Sequence, residues 1–362
     1  MKKIIVAVAA LALMAGSAYA AEWNFYGSAR VSTFWSDTDP YGDGVELDEL
    51  DDYLEDVQFT EELQSNARIG ANVKVSDELT GRFEYGASGG VANVRLLYGE
   101  WEFISGKLLV GKDYVPMYLT GSNQVVGNDA ALSGWGEVDG SRRAQIKLTF
   151  GDFQVAFVEN NTNYYGAALG DTTDDFVDVV IPMIQLQYAL TFDNFVITMA
   201  GGFQTFDVDD GIADDGVTSW GLGLDAAATF GAFSFTAQVN GGTNVGNIYN
   251  INVSDLVVGS GYAAVVGNEV IDNDAMGGRI AVGYTFNEML AVEVGYGYQQ
   301  TEFDDSRYQE DEVQSYYIQL PITLAPGVHI VPEVGVVDYV DNRFGDDESE
   351  TTYFGAKWQI NF

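Results

Sequence analysis

Few side chains in this sequence could carry out covalent or redox chemistry. The 362 residues include no Cys and a single His, His329. Without thiols, disulfides, thiolate nucleophiles and zinc–thiolate sites are excluded. One imidazole leaves His-based metal centres and His-driven acid–base chemistry with almost no residues to use. His329 lies near the start of a late apolar segment, with Glu333 on the same face, and we expect no enzymatic activity from it.

Carboxylates suggest one metal site. Ten Asp and Glu residues lie between positions 37 and 56, and four of them have a spacing similar to that of a calcium-binding loop: Asp37, Asp39, Asp43 and Asp48. The match is partial, because Tyr41 takes a ligand position and Asp48 replaces the closing Glu. The sequence therefore allows bound Ca²⁺ here as the only cofactor, with a solvated acidic loop as the alternative.

Charge excludes another class of function. The chain has 54 acidic and 16 basic residues, a formal net charge of −38. A protein this acidic gains no affinity from neutralising phosphates, so we expect no nucleic-acid partner. Its Gly and aromatic content is also too high for a disordered acidic tail.

The first twenty residues have the pattern of a secretory signal peptide. Lys2 and Lys3 precede an apolar run over residues 4–15, and Ala18-Tyr19-Ala20 is a cleavage motif. The pattern predicts two parts, a signal peptide over residues 1–20 and one folded domain over residues 21–362. No later run reaches the 18 consecutive apolar residues of a transmembrane helix.

Alternating polarity dominates the remaining chain. Segments of about ten residues place polar side chains on one face and apolar side chains on the other, which is typical of strands. Seven tight turns alternate with eight longer, acidic, Gly-rich loops near residues 36–57, 87–91, 113–140, 159–178, 207–216, 243–276, 303–312 and 340–350. Fifteen connections predict sixteen antiparallel strands, with both chain ends on the side of the short turns.

Aromatic residues flank these short turns, as in Phe150-Gly-Asp-Phe153, Phe192-Asp-Asn-Phe195 and Phe230-Gly-Ala-Phe233. Aromatic rings favour the membrane interface, and an even number of strands with short turns on one rim is typical of bacterial transmembrane barrels. We therefore predict an all-β fold, a 16-stranded antiparallel transmembrane β-barrel. A soluble sandwich capped by aromatic residues is the alternative.

Basic residues on the polar face are concentrated in the first six predicted strands: Arg30, Arg68, Arg82, Arg143 and Lys147. A one-sided basic wall in a narrow channel focuses the electrostatic potential. Alternatively, these side chains brace the barrel by pairing with Glu62, Glu84 and loop acids, and the two roles are compatible.

The chain resembles the general bacterial porins, and in particular the homotrimeric outer-membrane porins of sulfate-reducing Gram-negative bacteria. Residues 21–30 (AEWNFYGSAR) and 354–362 (FGAKWQINF) carry the likeness together with the strand count. The resemblance implies a homotrimer in the outer membrane, with lipid, lipopolysaccharide and the barrel-assembly machinery as partners. Phe362 is similar to the terminal aromatic residue that serves as an assembly signal.

The resemblance also implies that the long third loop, about Asp113 to Gly140, folds into the lumen. Gly111-Lys112 followed by Pro116 resembles its start. In such constrictions loop carboxylates oppose basic wall residues across the pore, and by position the carboxylates here are Asp129, Glu137 and Asp139. The expected function is passive diffusion of small hydrophilic solutes and ions. The alternatives are a channel selective for an organic acid, sugar or phosphate, and a secreted β-rich surface or adhesin protein.

Overall fold

The computed structural model describes residues 21–39, 57–88, 91–166, 172–209, 214–254, 260–266 and 269–362. The predicted signal peptide, Asp43 and Asp48 lie outside these residues. No helix in the described ranges is long and apolar enough to cross a membrane.

Sixteen antiparallel strands form one closed barrel, which confirms the predicted fold class. In chain order, β1 to β16 are Glu22–Asp39; Gln58–Leu63 with Arg68–Lys74; Leu79–Gly86; Asn93–Phe103; Gly106–Tyr114; Arg142–Phe150; Phe153–Val158; Met183–Thr191; Phe195–Asp209; Asp214–Phe230; Phe233–Thr243; Asn273–Asn287; Leu290–Phe303; Asp311–Gln319 with Ile322–Ala325; Val328–Tyr339; and Glu350–Asn361.

Each strand pairs with its neighbour in sequence, and β1 pairs with β16. The closing register runs from Ser28 opposite Asn361 to Asp39 opposite Glu350. Phe362 adds to this seam, since its backbone N–H donates to the Gly27 carbonyl at 3.0 Å and its carbonyl accepts from the Gly27 N–H at 2.6 Å. Closure satisfies the backbone groups that an edge strand would expose.

Alternation along the strands separates two faces. Large apolar side chains are exposed on the outer wall strand after strand, for example Phe25, Ile69, Leu222, Ile280 and Trp358. The aromatic residues at the short turns also face outward, and Phe192 stacks on Phe195 with ring centroids 4.3 Å apart. Polar side chains on the opposite parity point into the lumen.

The strand boundaries depart from the sequence pattern in two places. Strands β9 and β10 remain paired as far as Asp209 and Asp214, so the predicted long loop over 207–216 is shorter. A register shift opposite Glu84 and Tyr85 makes Arg95 an extra residue in β4. This bulge explains why polarity alternates poorly around Arg95, because a bulge changes the facing of the residues beyond it.

Two of the long loops enter the barrel. Loop 3 (residues 115–141) and the inner segment of loop 6 (residues 244–254) contribute the buried apolar side chains of the main cluster, including Met117, Val138, Ile248 and Tyr249. A second apolar cluster, with Tyr164, joins loop 4 (residues 159–182), the rest of loop 6 and the ends of β9 and β10 at the long-loop rim. The buried apolar clusters of this protein therefore lie inside the lumen and at its long-loop rim.

Candidate functional site

β5 stays paired with β6 as far as Tyr114, and loop 3 follows it. Near the end of this strand Gly111 has a φ of +137°, and a Cβ there would lie 2.2 Å from the Leu97 carbonyl oxygen, so only glycine fits. Beyond the strand, the Met117 N–H donates to Gln185 Oε1 in β8 at 2.9 Å. Farther along, Thr236 in β11 donates its hydroxyl to the Gly121 carbonyl at 3.0 Å. The first half of loop 3 is thus held against the inner wall from β8 to β11.

Carboxylates of the late strands hold the middle of loop 3. Glu333 in β15 accepts the backbone N–H groups of Val125 and Val126, at 2.8 and 3.0 Å. Glu293 in β13 accepts both the backbone and side-chain amides of Asn123, at 2.9 and 2.6 Å. Charge-assisted bonds to backbone N–H groups are among the stronger hydrogen bonds. These two wall acids therefore fix the path of the loop.

Asp129 carries loop 3 across the β1–β16 seam. Its carboxylate lies 2.7 Å from the Arg30 Nη1 atom and 3.1 Å from the Lys357 Nζ atom. The Asn66 side-chain amide also donates to it, at 3.0 Å. Asp129 of loop 3 thus forms a direct ion pair with Arg30 of the basic wall.

Glu137 is buried in an ion triad on the opposite wall. Its Oε2 lies 2.8 Å from the Arg279 Nε atom of β12, and Arg279 also pairs with Asp225 of β10. The Glu137 carboxylate further accepts the backbone N–H groups of Gly121 and Ser122, at 3.1 and 3.0 Å. Burial raises the pKa of Glu137 to about 7, against the lowering effect of Arg279.

Asp139 is the third predicted acid of loop 3. It accepts the Ser141 backbone N–H at 2.7 Å and the Ser133 hydroxyl at 3.1 Å. Burial raises its pKa, and the two hydrogen bonds and nearby arginines oppose that rise. Its hydrogen bonds lie within loop 3 itself, so this carboxylate shapes the loop.

The inner segment of loop 6 packs on loop 3. The Asn250 backbone N–H donates to the Asp139 carbonyl at 2.9 Å, and the Asn252 N–H donates to the Gly134 carbonyl at 3.1 Å. Tyr249, fully buried, donates its hydroxyl to Asn240 in β11 at 3.2 Å. Two layers of loop therefore lie inside the lumen, and open space remains on the side of the early strands as well as toward the short turns.

A cavity of about 370 Å³ occupies that open side, between loop 3 and the early strands. Four arginines are among its lining residues, Arg30, Arg68, Arg95 and Arg142. A second cavity, of about 450 Å³, lies toward the short turns and is lined by His329, Lys357 and Glu293. Asn123 of loop 3 lines both cavities.

On the inner wall of the early strands, a single carboxylate forms ion pairs with three arginines. Glu84 lies 2.7 Å from Arg95, 3.2 Å from Arg82 and 3.5 Å from Arg68. It also accepts the Tyr26 hydroxyl at 2.9 Å. Bracing and a basic wall, the two roles anticipated for these arginines, thus occur together.

The remaining predicted wall residues lie farther around the barrel in β6. Lys147 pairs with Asp113 at 2.8 Å. The Arg143 guanidinium donates to the Asn247 carbonyl of loop 6 at 3.1 Å. Lys147 therefore braces β5 and Arg143 anchors loop 6, and neither is among the residues that line the 370 Å³ cavity.

The calcium prediction stays untested. Asp37 and Asp39 are exposed near the end of β1, whereas Asp43 and Asp48 lie outside the described residues. Within the described ranges there is no cluster of three or more His, Asp or Glu side chains suited to a metal ion.

Sequence reasoning missed several residues of this site. Glu293 and Glu333 have the polar parity of their strands, but the sequence does not show that they face loop 3. The inner segment of loop 6 carried a usable signal, since Val245, Ile248 and Ile251 place apolar side chains at close spacing inside a polar loop.

Solved structures with this fold are bacterial outer-membrane proteins. The chain is similar to the outer membrane channel DcaP of Acinetobacter baumannii, with 16% identity, a TM-score of 0.72 and coverage of 94% of this chain and 97% of that one. It is also similar to the trimer form of OmpT, an outer membrane protein of Vibrio cholerae (16% identity, TM-score 0.60, coverage 94% and 99%). A third likeness is to an anion-selective porin from Comamonas acidovorans (12% identity, TM-score 0.60, coverage 94% and 100%).

No protein-family model and no curated protein sequence matches the chain. The structural likenesses show that the chain has the porin barrel fold over almost its whole length.

Proposed function

We propose that this protein is an outer-membrane porin, a non-enzymatic channel for passive diffusion of small hydrophilic solutes and ions. The observation that carries the proposal is the closed barrel of sixteen strands with an apolar outer wall and a polar lumen narrowed by loop 3. Exposing these large apolar side chains to water would cost free energy, whereas in a bilayer they contact the hydrocarbon of the lipid.

In the proposed channel, Arg30, Arg68 and Arg82 form the basic side of the constriction, and Arg143 and Lys147 lie farther around the barrel in β6. Asp129 of loop 3 forms an ion pair with Arg30, and Glu137 and Asp139 hold the loop in place. The lumen is narrowed by two inserted loops, which supports a size limit on the solutes that pass.

Electrical measurement tests the proposal. The chain refolded in detergent and added to a planar bilayer should give discrete conductance steps. A bilayer that stays silent, or a chain freely soluble without detergent, would overturn the channel and favour a secreted surface protein. Saturable block by one solute only, with no effect of other solutes of the same chemical class, would favour the substrate-selective alternative.

Signal-peptide cleavage, membrane insertion and oligomeric state are proposed from the sequence and from the resemblance to the porins. We propose cleavage after Ala20, export to the outer membrane, insertion by the barrel-assembly machinery with Phe362 in its signal, and assembly into a homotrimer beside lipid and lipopolysaccharide. Kinship with the porins of sulfate-reducing bacteria is part of the same proposal. N-terminal sequencing of the exported protein and its native mass in detergent test the cleavage site and the trimer.

A further inference from the structure

The loop 3 acids leave the arginine-lined cavity with an excess of positive charge. Glu137 does not line the cavity, because it is buried against Arg279. Asp129 does line it, but Arg30 and Lys357 both lie within 3.1 Å of its carboxylate. Of these two carboxylates, one therefore lies outside the cavity lining and the other is paired with two cations.

The arginines on the inner wall of the early strands carry more positive charge than the neighbouring carboxylate neutralises. Arg68, Arg82 and Arg95 share the single carboxylate of Glu84. One carboxylate balances one guanidinium, so this group keeps an excess of two positive charges. Arg68 has the longest ion pair of the three, at 3.5 Å, and it lines the cavity.

Arg142 adds an incompletely bonded guanidinium at the same cavity. Its Nη1 atom is buried without a hydrogen-bond partner, and no carboxylate lies within 4.0 Å of its nitrogens in the described ranges. Its guanidinium carbon lies 5.4 Å from the Tyr114 ring centroid, and that ring contacts the Tyr118 ring at 4.1 Å. Asp139 also lines this cavity and keeps its negative charge, so four arginines face two loop carboxylates, Asp129 and Asp139, among the lining residues.

We propose that the cavity bounded by Arg68, Arg95 and Arg142 makes the channel selective for anions and binds the carboxylate group of small organic anions in passage. The inference rests on the proposed channel function. A guanidinium is the side chain best matched to a carboxylate, because its N–H groups donate in a planar fork. A bound carboxylate would accept hydrogen bonds from the guanidinium groups that line the cavity.

The negative charge of the whole chain does not oppose this. Most of its acids fall in the long loops predicted from the sequence, and Asp129 and Asp139 are the two among the residues that line the cavity. A Debye length of about 8 Å at physiological ionic strength limits the reach of the others. Within a narrow lumen the nearest charges dominate, because low-dielectric walls focus the field. Selectivity is therefore set at the cavity.

The sign of the reversal potential in a tenfold KCl gradient across a planar bilayer tests the selectivity. We expect chloride to be more permeant than potassium. Arg68→Gln and Arg142→Gln should each lower the chloride-to-potassium permeability ratio about threefold, as expected for removing a unit charge within a Debye length of the ion path. Arg307→Gln is the matched control, since Arg307 is exposed on the loop between β13 and β14 and should leave the ratio unchanged.

Gluconate and glucose test the carboxylate site, because they are similar in size and differ in the carboxylate. We expect gluconate to reduce the chloride current saturably, glucose to leave it unchanged, and Arg142→Gln to weaken the gluconate effect at least threefold. Heat-modifiable migration checks that each variant is folded.

The outcomes separate the two proposals. No conductance at all overturns the channel itself. Conductance with potassium preferred overturns anion selectivity and leaves the channel standing. Chloride preference with equal effects of gluconate and glucose overturns the carboxylate site.

Discussion

The buried triad of Arg279, Glu137 and Asp225 offers the sharpest test of how loop 3 is held. Arg279 is the cation paired with both carboxylates, and its side chain has no solvent exposure. Arg279→Gln removes the positive charge and keeps a polar side chain of similar reach. Two buried carboxylates then remain on opposite sides of the loop–wall contact.

Removing one partner of a buried ion pair costs about 3–5 kcal/mol, because the other charge stays buried and uncompensated. The backbone N–H groups of Gly121 and Ser122 still bind Glu137, so the lower end of this range is expected at neutral pH. A cost of about 3 kcal/mol corresponds to roughly a hundredfold increase in the population of the detached loop.

The pH dependence of this effect has a definite sign. The pKa of Glu137 is raised from 4.5 to about 7 in the docked loop, so docking takes up a proton between these values. Docking is therefore most favourable below pH 4.5 and weakens as the pH rises toward 7. Without Arg279 the pKa rises further, so Arg279→Gln should be more harmful at pH 8 than at pH 5.

Amide hydrogen exchange over loop 3 in detergent measures this detachment directly. Arg279→Gln should speed exchange of the Gly121 and Ser122 amides about a hundredfold at pH 8, and Arg279→Gln with Glu137→Gln should recover part of the protection. Arg307→Gln is again the control. Exchange at the wild-type rate in Arg279→Gln at pH 8 would refute the reasoning, since the triad would then contribute nothing to docking.

Three further tests, two of them with a matched second substitution, address other parts of the structure. Gly136→Ala should displace loop 3 and lower the melting temperature, because a Cβ there would lie 2.3 Å from a β12 carbonyl oxygen. Gly127→Ala is its control: a Cβ at Gly127 meets no atom within 4 Å, so this substitution should cost only about 1–2 kcal/mol of backbone strain. Leu222→Arg on the outer wall should destabilise the inserted barrel by about 2–4 kcal/mol, and Phe286→Arg at the short-turn rim by about 0–1 kcal/mol, as measured by denaturant unfolding in lipid vesicles. Asp129→Asn should raise the chloride-to-potassium permeability ratio, because two cations lose their counter-charge; an unchanged ratio would show that this section of the lumen does not set selectivity.

Much of the barrel could be predicted from the sequence because a strand's facing depends on local alternation. The inward parity assigned to Arg30, Arg68 and Arg82 rests on that pattern, as does the outward parity of Phe25 and Trp35, and the structure places all five accordingly. The pattern failed where a bulge intervenes, at Arg95, since one extra residue changes the facing.

The interior of the site was much less predictable. Arg279 has the polar parity of β12, but its partner Glu137 lies 142 positions earlier in a loop without periodicity. The hydrogen bonds that the Val125 and Val126 N–H groups donate to Glu333 likewise join distant parts of the chain. Such contacts depend on how a loop folds over the completed wall, and no local pattern encodes them.

The seam between β1 and β16 has a consequence for biogenesis. Residues such as Ser28 and Asn361 must meet although the entire sequence separates them, and several anchors of loop 3, including Glu333 and Lys357, also come late in the chain. The barrel therefore cannot close until its last strand has paired. For the proposed export to an outer membrane, unpaired strand edges and the apolar side chains of the outer wall face water until then, so we expect chaperones to prevent aggregation on the way.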